Sequence, residues 1–540
     1  MKTIENAQYL TGNRRFAWLF VITMTMVSFL LVSCGGTGAG RDPYTIYVHL
    51  SAEPGTLNPL LSTEAVAGAV TKYIYESLLD RDYDTLELKP QLAERYEVLK
   101  GGLVYRFHLK KGVLWSDGAE FNADDVVYSF DRIKDPKVAG THLKVYYIDV
   151  TGCRKLNRYT VEFTCRRPYF MQTELLGEMP IVPKHVYDDG TDFNTHPMNR
   201  KPIGTGPYVF DRWETRKRII LARNERFRDP KPDIRKIVYR VVPDPNVAIL
   251  KLKKGELDVM TLSSLQWARQ TGTEQFNRDF HKLKYYLPYY NYIGWNAERP
   301  FFSDRRVRLA MTHLVNRKAI LDKLLFGLGE IVNGTFFIYS KNYSRNLEPW
   351  THDPARAREL LREAGWTDSN NDGVLDRDGK KFSFTMVYPV TSDYSEKLAV
   401  ILKEDLAREG IEMKLNRYEW AVFVQKLNER DFDATSVGWS LGYSGDPYQL
   451  WHSSQIKDGS NFCSFRNAEA DRLIEAARLE LDEERRVAMY HRFNEILHRE
   501  QPYTFMFCNP SLAAVSKRFD NVKVHTKGLN YMEWKVKARP

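Results

Sequence analysis

A serine between glycines forms a pattern that some hydrolases use. Ser440 stands in Gly438-Trp-Ser-Leu-Gly442, which fits the G-x-S-x-G motif of serine hydrolases. In those enzymes a strand leads through a sharp turn into a helix, and the turn exposes the nucleophilic serine. A strand is predicted before Ser440, but Gly445 and Pro447 follow it and disfavour a helix. The motif therefore leaves a serine hydrolase that uses Ser440 as a distant alternative.

An acidic stretch follows part of a calcium-loop pattern. Side-chain oxygens that fit the pattern are present at Asp368, Asn370, Asp372 and Asp376, with a glycine at the bend. The position that closes such a loop holds Gly379 instead of glutamate, and residues 380–388 are predicted to be a strand instead of the expected helix. The stretch therefore predicts a polar hairpin turn, and we expect no metal site and no cofactor.

The first 36 residues have the layout of a processing signal. Lys2, Arg14 and Arg15 precede an apolar run over residues 16–32, and Cys34 follows it. This layout resembles a bacterial lipoprotein signal, in which the cysteine thiol is acylated and the chain is cut before it. A run of about 17 residues is near the lower limit for crossing a bilayer, so an uncleaved anchor is the alternative. In both cases we expect everything after Cys34 to lie outside the cytoplasm, tethered to a membrane.

Length and composition predict a globular protein after this signal. The chain has 540 residues, a length that suits two or three lobes. Its composition, with 43% hydrophobic and 27% charged residues, is ordinary for a globular protein. The net charge is +10, but basic residues are scattered among acidic ones. Such scattering indicates a solvated surface, so we expect no nucleic-acid partner.

If Cys34 is acylated, four cysteines remain. In an oxidising compartment, four cysteines are enough to form two disulfides. Cys153 and Cys165 are predicted to lie on one hairpin that turns near Asn157. That turn pairs Cys153 with about Thr160, so a direct bridge is out of register. We favour free buried thiols for the four cysteines, which are Cys153, Cys165, Cys463 and Cys508.

Strands and helices alternate along the chain, which indicates an α/β protein. Apolar residues at alternate positions predict strands over residues 44–50, 104–109, 382–388, 412–418 and 433–438. Apolar residues at helical spacing, with caps such as Asn122, predict helices over residues 65–79, 122–130, 305–326, 353–364, 395–409, 469–479 and 483–499.

Many short segments of the chain together resemble family 5 of the extracellular solute-binding proteins, the oligopeptide, dipeptide and nickel group that serves ABC importers. They occur in the family's order from about residue 44 to the end, which argues against chance agreement. The stretch formed by residues 89–97, 105–118 and 121–130 looks like the family signature. The matching segments are residues 89–97, 105–118, 121–130, 181–185, 204–208, 221–224, 252–259, 302–310, 353–366, 431–434 and 438–440.

The resemblance implies an α/β fold that is periplasmic-binding-protein-like (type II, cluster C), with three lobes and a hinged ligand cleft. Ligand binding shifts an equilibrium between open and closed arrangements of such lobes. A signal peptide (1–33) and a flexible tether (34–43) are expected to precede the lobes. Lobe I is expected to consist of residues 44–85, 201–288 and 506–540, lobe II is inserted at 86–200, and lobe III spans 289–505.

The same resemblance implies a receptor that captures peptides or peptide-like solutes and delivers them to the permease of an ABC importer. Such a receptor is not an enzyme, and we expect it to act as a monomer without a cofactor. The positions expected to contact ligand are Thr63, Glu64, Ala65, Tyr290, Tyr292, Trp439, Tyr443 and Asp446.

One position departs from the peptide-binding branch of the family. That branch has an aspartate three residues after the tryptophan that matches Trp439, and the aspartate pairs with the amino terminus of the ligand. Gly442 occupies this position here, and Asp446 is the nearest acid. A buried ammonium group without a partner is costly, so Asp446 must replace the aspartate or the ligand must lack this group. An oligosaccharide or a metal complex is therefore the alternative ligand.

Overall fold

The computed structural model describes residues 41–537, and the compact unit that contains all three main sheets begins at Ile46. Cys34 and the predicted signal peptide lie outside the described residues. Within residues 41–537, no helix is both long and apolar enough to cross a membrane.

A seven-stranded sheet is assembled from three separate parts of the sequence. Apolar side chains alternate along its first strand, so Ile46, Val48 and Leu50 are buried on one face. Val48 pairs in parallel with Val259, and the last long strand of the chain pairs antiparallel with two others. In spatial order the strands are Phe280–Tyr286, Pro510–Ser516, Val259–Leu262, Thr45–Leu50, Lys236–Val241, Arg218–Arg223 and Tyr208–Glu214.

A four-stranded antiparallel sheet forms the second part of the molecule. The helix Ala123–Lys134 packs against it and starts where the sequence predicts. Asn122 accepts a hydrogen bond from the Asp124 amide at 2.9 Å, and Asp125 accepts one from the Asn122 amide at 3.0 Å. This capping box confirms Asn122 as the cap. In spatial order the strands are Ala93–Leu99, Val104–Leu109, Thr160–Cys165 and Val150–Asn157.

A five-stranded mixed sheet forms the third part. The strand Ser383–Pro389 pairs in parallel with Glu412–Tyr418 and with Ala434–Ser440. The strands Tyr289–Trp295 and Tyr503–Phe505 are added to this sheet by antiparallel pairing. Helices cover both faces, as a sheet buried on both sides requires. In spatial order the strands are Glu412–Tyr418, Ser383–Pro389, Ala434–Ser440, Tyr289–Trp295 and Tyr503–Phe505.

We keep the names lobe I, lobe II and lobe III for the parts built on the seven-, four- and five-stranded sheets. The strands of each sheet come from the sequence ranges expected for that lobe, while the boundaries themselves stay predictions. Four two-stranded ribbons also occur among the described residues, and they pair Leu79–Arg81 with Leu88–Pro90, Glu330–Ile331 with Phe507–Cys508, Asp376–Arg377 with Lys380–Lys381, and Phe519–Asp520 with Lys535–Val536.

Helices connect and cover the sheets. Lobe I has Ala65–Thr71, Pro245–Lys253, Ser264–Arg269, Glu274–Asp279 and the 3-10 turn Tyr531–Glu533. Lobe II has Ala123–Lys134, Thr141–Lys144, Gln172–Gly177, Lys184–Tyr187 and the 3-10 turn Pro197–Arg200. Lobe III has Arg305–Leu314, Arg317–Leu325, Pro354–Glu363, Asp393–Ala407, Trp420–Asn428, Tyr448–Trp451, Gln455–Asp458, Ala468–Leu479 and Glu483–Glu500.

Two predicted helices are shorter or divided in the structure. The helix that begins at Ala65 ends at Thr71, because the Ile74 and Tyr73 carbonyls accept hydrogen bonds from the backbone amides of Gly206 and Tyr208. The predicted helix over residues 305–326 is two helices, and Asn316 caps the second by accepting from the Ala319 amide at 3.0 Å. Tertiary hydrogen bonds and a strong cap thus override the continuous apolar pattern.

The four cysteines of residues 41–537 are free, as favoured from the sequence. The predicted register of the hairpin was wrong, because Cys153 lies opposite Phe163 and not near Thr160. Two irregularities in the pairing, after Val150 and after Lys155, shift the partners of the strand. Cys165 lies opposite Val150, so the two thiols of this hairpin are not bridged.

Candidate ligand cleft

A cavity of about 460 Å³ lies between lobe II and lobe III. Its volume is in the usual range for a small-ligand site. The lobe II side is formed by Val145, Tyr146, Ile148, Asp149, Tyr169, Met171 and Gln172. The lobe III side is formed by Trp439, Ser440, Leu441, Gly442, Gly445, Asp446, Gln449, Leu450, Ser460 and Arg478.

Trp439 lines this cavity at the end of the strand Ala434–Ser440. Its indole is nearly parallel to the Tyr292 ring at 6.3 Å and to the Phe462 ring at 5.5 Å. The indole N–H donates to the Tyr503 hydroxyl at 3.4 Å. These contacts hold a half-buried aromatic surface at the cavity wall, as expected for a residue that packs against a ligand.

The lobe II wall is formed by apolar side chains that are unusually exposed. Val145, Tyr146 and Ile148 are 45%, 54% and 63% exposed, and all three face the cavity. Exposed apolar groups that cluster in a concave site indicate a surface for an apolar ligand group or partner. Sequence reasoning missed these residues. Several bulky apolar residues in a stretch without helical or strand periodicity were the available signal.

Asp446 also lines the cavity, but its carboxylate already has protein partners. One oxygen accepts hydrogen bonds from the Tyr169 hydroxyl at 2.7 Å and from Arg478 Nε at 2.9 Å. The other accepts from the Tyr448 amide at 3.0 Å. Burial and the neighbouring Asp446 raise the pKa of Tyr169 well above its ordinary value, so the phenol keeps the proton that it donates.

Asp446 therefore joins the two walls of the cavity. Tyr169 belongs to lobe II, whereas Asp446 and Arg478 belong to lobe III. The Arg478 guanidinium lies over the rings of Tyr169 and Tyr448 at 4.9 and 4.2 Å, and its carbonyl accepts from the Phe170 amide at 3.0 Å. We call Tyr169, Asp446 and Arg478 the lobe clasp. The sequence left open whether Asp446 pairs with a ligand amine, and it gave no sign of either side-chain partner of Asp446.

Tyr443 lies near the cavity but does not line it. Its ring meets Phe337 edge-on at 6.1 Å, and the Arg81 guanidinium is 5.8 Å from its centre. Arg81 in turn forms ion pairs with Glu174 and Glu178 on lobe II. Tyr443 thus lies at a polar junction of the three lobes.

Glu178 in this junction is expected to make stability depend on pH. Burial raises the pKa of Glu178 to about 7, although Arg81 opposes the shift. The folded protein then binds a proton that the unfolded chain releases at lower pH, so stability falls as pH rises from about 4.5 through about 7. Glu178→Gln should remove this fall and stabilise the protein at pH 8 by roughly 1–2 kcal/mol, allowing for partial solvent exposure.

Thermal unfolding at pH 5 and pH 8 checks this prediction. Glu87→Gln, which changes an exposed glutamate nearby, should keep the pH dependence of the parent protein. An equal difference between the two pH values in the parent and in Glu178→Gln would contradict the prediction.

Tyr290 and Tyr292 lie in the core of lobe III and not at the cavity. Tyr290 is 2% exposed, and its hydroxyl is 3.0 Å from that of Thr335. Tyr292 is fully buried and stacks on Tyr503 with ring centres 3.8 Å apart. The two side chains share one face of their strand, and that face is buried in a cluster that includes Trp451, Phe493 and the rings of the neighbouring strand Tyr503–Phe505. Tyr292 supports Trp439 from behind.

Thr63, Glu64 and Ala65 are exposed at the start of the first helix and do not line the cavity. Glu64 precedes the helix and accepts a hydrogen bond from the Gly55 amide at 2.8 Å. Its carboxylate therefore closes the preceding loop.

The serine motif at residues 438–442 and the acidic stretch at residues 368–376 do not form a hydrolase site or a calcium loop in the structure. No helix starts at Ser440, and among residues 41–537 no histidine or aspartate makes a hydrogen bond to its hydroxyl. In the acidic stretch, Asp368 accepts from the amides of Asp372 and Gly373, and Asp372 forms an ion pair with Lys381 at 2.8 Å. These oxygens hold a polar hairpin turn.

Comparison with known proteins identifies the family to which the chain belongs. Residues 87–461 match the family of bacterial extracellular solute-binding proteins, family 5, middle part. The chain is 31% identical to the oligopeptide-binding protein AppA of Bacillus subtilis, over 95% of this chain and 97% of the relative.

Solved structures of binding proteins have the same fold as this chain. The structure of AppA from Bacillus subtilis in complex with a nonapeptide has a TM-score of 0.75 and 31% identity, and the match covers 92% of this chain and 99% of that one. NikZ from Campylobacter jejuni in complex with Ni(L-His) has a TM-score of 0.76 and 26% identity, with coverage of 92% and 100%. The predicted type II periplasmic-binding-protein-like fold is confirmed. The chain belongs to family 5 of the bacterial extracellular solute-binding proteins.

Proposed function

We propose that this protein is a peptide receptor that captures its ligand between lobes II and III and delivers it to an ABC importer. The observation that carries the proposal is the cavity, whose apolar walls face each other across a space of about 460 Å³. Trp439 forms one wall and the exposed group Val145, Tyr146 and Ile148 the other. The protein works outside the cytoplasm, as its family does, and we propose that it acts as a monomer of three lobes.

The lining favours a peptide over the alternative ligands. The residues that line this cavity include no histidine or cysteine, the side chains that most often bind a transition metal. Its bulky apolar groups suit the side chains of a peptide better than the hydroxyl-rich faces of an oligosaccharide. A relative of similar fold binds Ni(L-His), so a metal complex is the second candidate to be tested. The serine hydrolase alternative is set aside, because family 5 proteins are binding receptors and not enzymes.

Identification of the native ligand tests the proposed function. Ligands released by denaturing the purified protein are analysed by mass spectrometry, and calorimetry then compares apolar peptides, oligosaccharides and Ni(L-His). We expect peptides to be released and to bind. Release of a sugar or a metal complex, together with failure of peptides to bind, would replace the peptide proposal with that ligand class.

The second part of the proposal concerns the membrane anchor at Cys34, which lies outside the described residues. Because Cys34 is the acylation candidate after the apolar run, Cys34→Ala should block both acylation and cleavage of the signal. Metabolic labelling with a tagged fatty acid checks this, with Cys153→Ala as the control that should keep the label. Label on Cys34→Ala at the parent level would rule out the lipid anchor.

A further inference from the structure

Gln172 has an unusual position in the wall of the ligand cleft. It lines the cavity of about 460 Å³ between lobes II and III. The residue is only 1% exposed, and its Nε2 atom is buried without a hydrogen-bond partner within residues 41–537. No other lining side chain in that range has a buried polar atom without a partner. The proposed receptor function, as stated above, assigns no role to Gln172.

The unpaired amide of Gln172 needs a hydrogen-bond acceptor. A buried N–H group without one has lost its hydrogen bonds to water and has gained none from the protein. Folded proteins pair most of their buried polar groups, so an exception in the wall of a binding cavity points to a partner on the ligand. The amide turns readily about the last bond of the side chain, which lets its N–H group face the cavity.

The charged side chains that line the cavity are already paired. Asp149 accepts a hydrogen bond from Arg167 Nε at 2.8 Å. Asp446 accepts from Tyr169 and Arg478 in the lobe clasp. Among the lining residues that the structure describes, no charge is therefore left to balance a charged ligand group, and burying such a group is costly. A neutral acceptor, such as the carbonyl of a peptide bond, suits this wall best.

The backbone of Gln172 is fixed at both ends of the short helix Gln172–Gly177. At its start, the Gln172 amide donates to the Tyr169 carbonyl at 2.9 Å, and the Tyr169 hydroxyl belongs to the lobe clasp. At its end, Gly177 packs so closely against lobe I that a Cβ atom there would lie 2.6 Å from Leu79 Cδ1. The side chain of Gln172 is therefore preorganised, and little further ordering is needed when it binds a ligand.

We propose that Gln172 is a specificity-determining residue of the cleft, whose side-chain amide donates a hydrogen bond to a backbone carbonyl of the bound peptide. This inference rests on the proposed peptide receptor function. The apolar walls contact the side chains of the peptide, whereas Gln172 recognises the peptide bond between them. Because every peptide has backbone carbonyls, this contact selects peptides as a class and not one peptide sequence.

Calorimetry tests the contact with two probes, the peptide that copurifies with the protein and a tetrapeptide of alanine and leucine. Gln172→Met keeps the length of the side chain and removes the donor, so it should weaken binding by roughly threefold to tenfold, as expected for one neutral hydrogen bond. Gln425→Met is the matched control. Gln425 is exposed on the helix Trp420–Asn428 and does not line the cavity, so this variant should bind like the parent.

Thermal unfolding without ligand separates a ligand contact from a structural role. Gln172→Met removes a buried polar group that has no protein partner, so the Tm of the ligand-free protein should stay the same or rise. A glutamine that the fold requires would instead lower the Tm when it is replaced. Gln172→Leu is the second variant for both measurements in case Gln172→Met does not fold.

The outcomes distinguish this inference from the receptor function. Parent-like peptide affinity in the folded Gln172 variant, or a lower Tm of that variant without ligand, would overturn the inference and leave the receptor function intact. If peptides neither copurify with the parent protein nor bind to it, the receptor proposal fails and this inference fails with it.

Discussion

Asp446→Asn is expected to weaken the binding of peptides by about 2–5 kcal/mol, the range for removing one partner of a hydrogen-bonded ion pair from a desolvated interface. Asparagine cannot balance the charge of Arg478, which then faces the cavity without its carboxylate. It also weakens the bond from Tyr169, so lobe II loses part of its attachment to lobe III. The closed arrangement that surrounds the ligand should therefore be less populated.

The effect of N-acetylation on the ligand separates the lobe clasp from an amine anchor. If Asp446 acts through Arg478 and Tyr169, Asp446→Asn weakens free and N-acetylated peptides by similar factors. If Asp446 binds the amino terminus, acetylation alone weakens binding to the parent protein, and the substitution affects free peptides far more. Calorimetry with matched peptide pairs measures both quantities.

Asp431→Asn provides the control for the clasp experiment. Asp431 is an exposed aspartate of lobe III that does not line the cavity. Its carboxylate forms an ion pair with Lys426, with an N–O distance of 2.5 Å. Exposed ion pairs contribute roughly 0–1 kcal/mol, so this variant should bind peptides like the parent. Unchanged affinity in Asp446→Asn would show that the clasp does not contribute to ligand binding.

Trp439→Ala is expected to weaken peptide binding by roughly 30-fold, or about 2 kcal/mol, because it removes an aromatic wall of the cavity. The indole is held in place by Tyr292, Phe462 and Tyr503, so its loss leaves a gap that the neighbouring rings cannot close without moving. Calorimetry with the peptide that copurifies with the protein measures the change, and circular dichroism verifies the fold.

Trp420→Ala is the matched control for this substitution. Trp420 is 54% exposed at the start of the helix Trp420–Asn428 and does not line the cavity. It should leave the affinity within about twofold of the parent value, since surface changes away from the site have small effects. Parent-like affinity in a folded Trp439→Ala protein would mean that Trp439 serves only the core of lobe III.

Local features of this protein could be predicted from the sequence because contiguous residues encode them. The alternation of apolar residues placed the strands Val104–Leu109 and Glu412–Tyr418 within their observed bounds or close to them. Asn122 marked a helix start, since its side chain caps amides only two and three residues away. The position of Trp439 near the end of a strand likewise followed from a short segment.

The composition of the cleft was decided by tertiary structure. Alternation along a strand places Tyr290 and Tyr292 on one face. That face is buried only because Trp451, Phe493 and the rings of Tyr503–Phe505, roughly two hundred residues later, pack around it. Asp446 is 277 positions from Tyr169 and 32 from Arg478, and its role depends on both. Periodicity defines which residues share a face, whereas the partners of that face come from distant segments that meet only when the lobes fold and close.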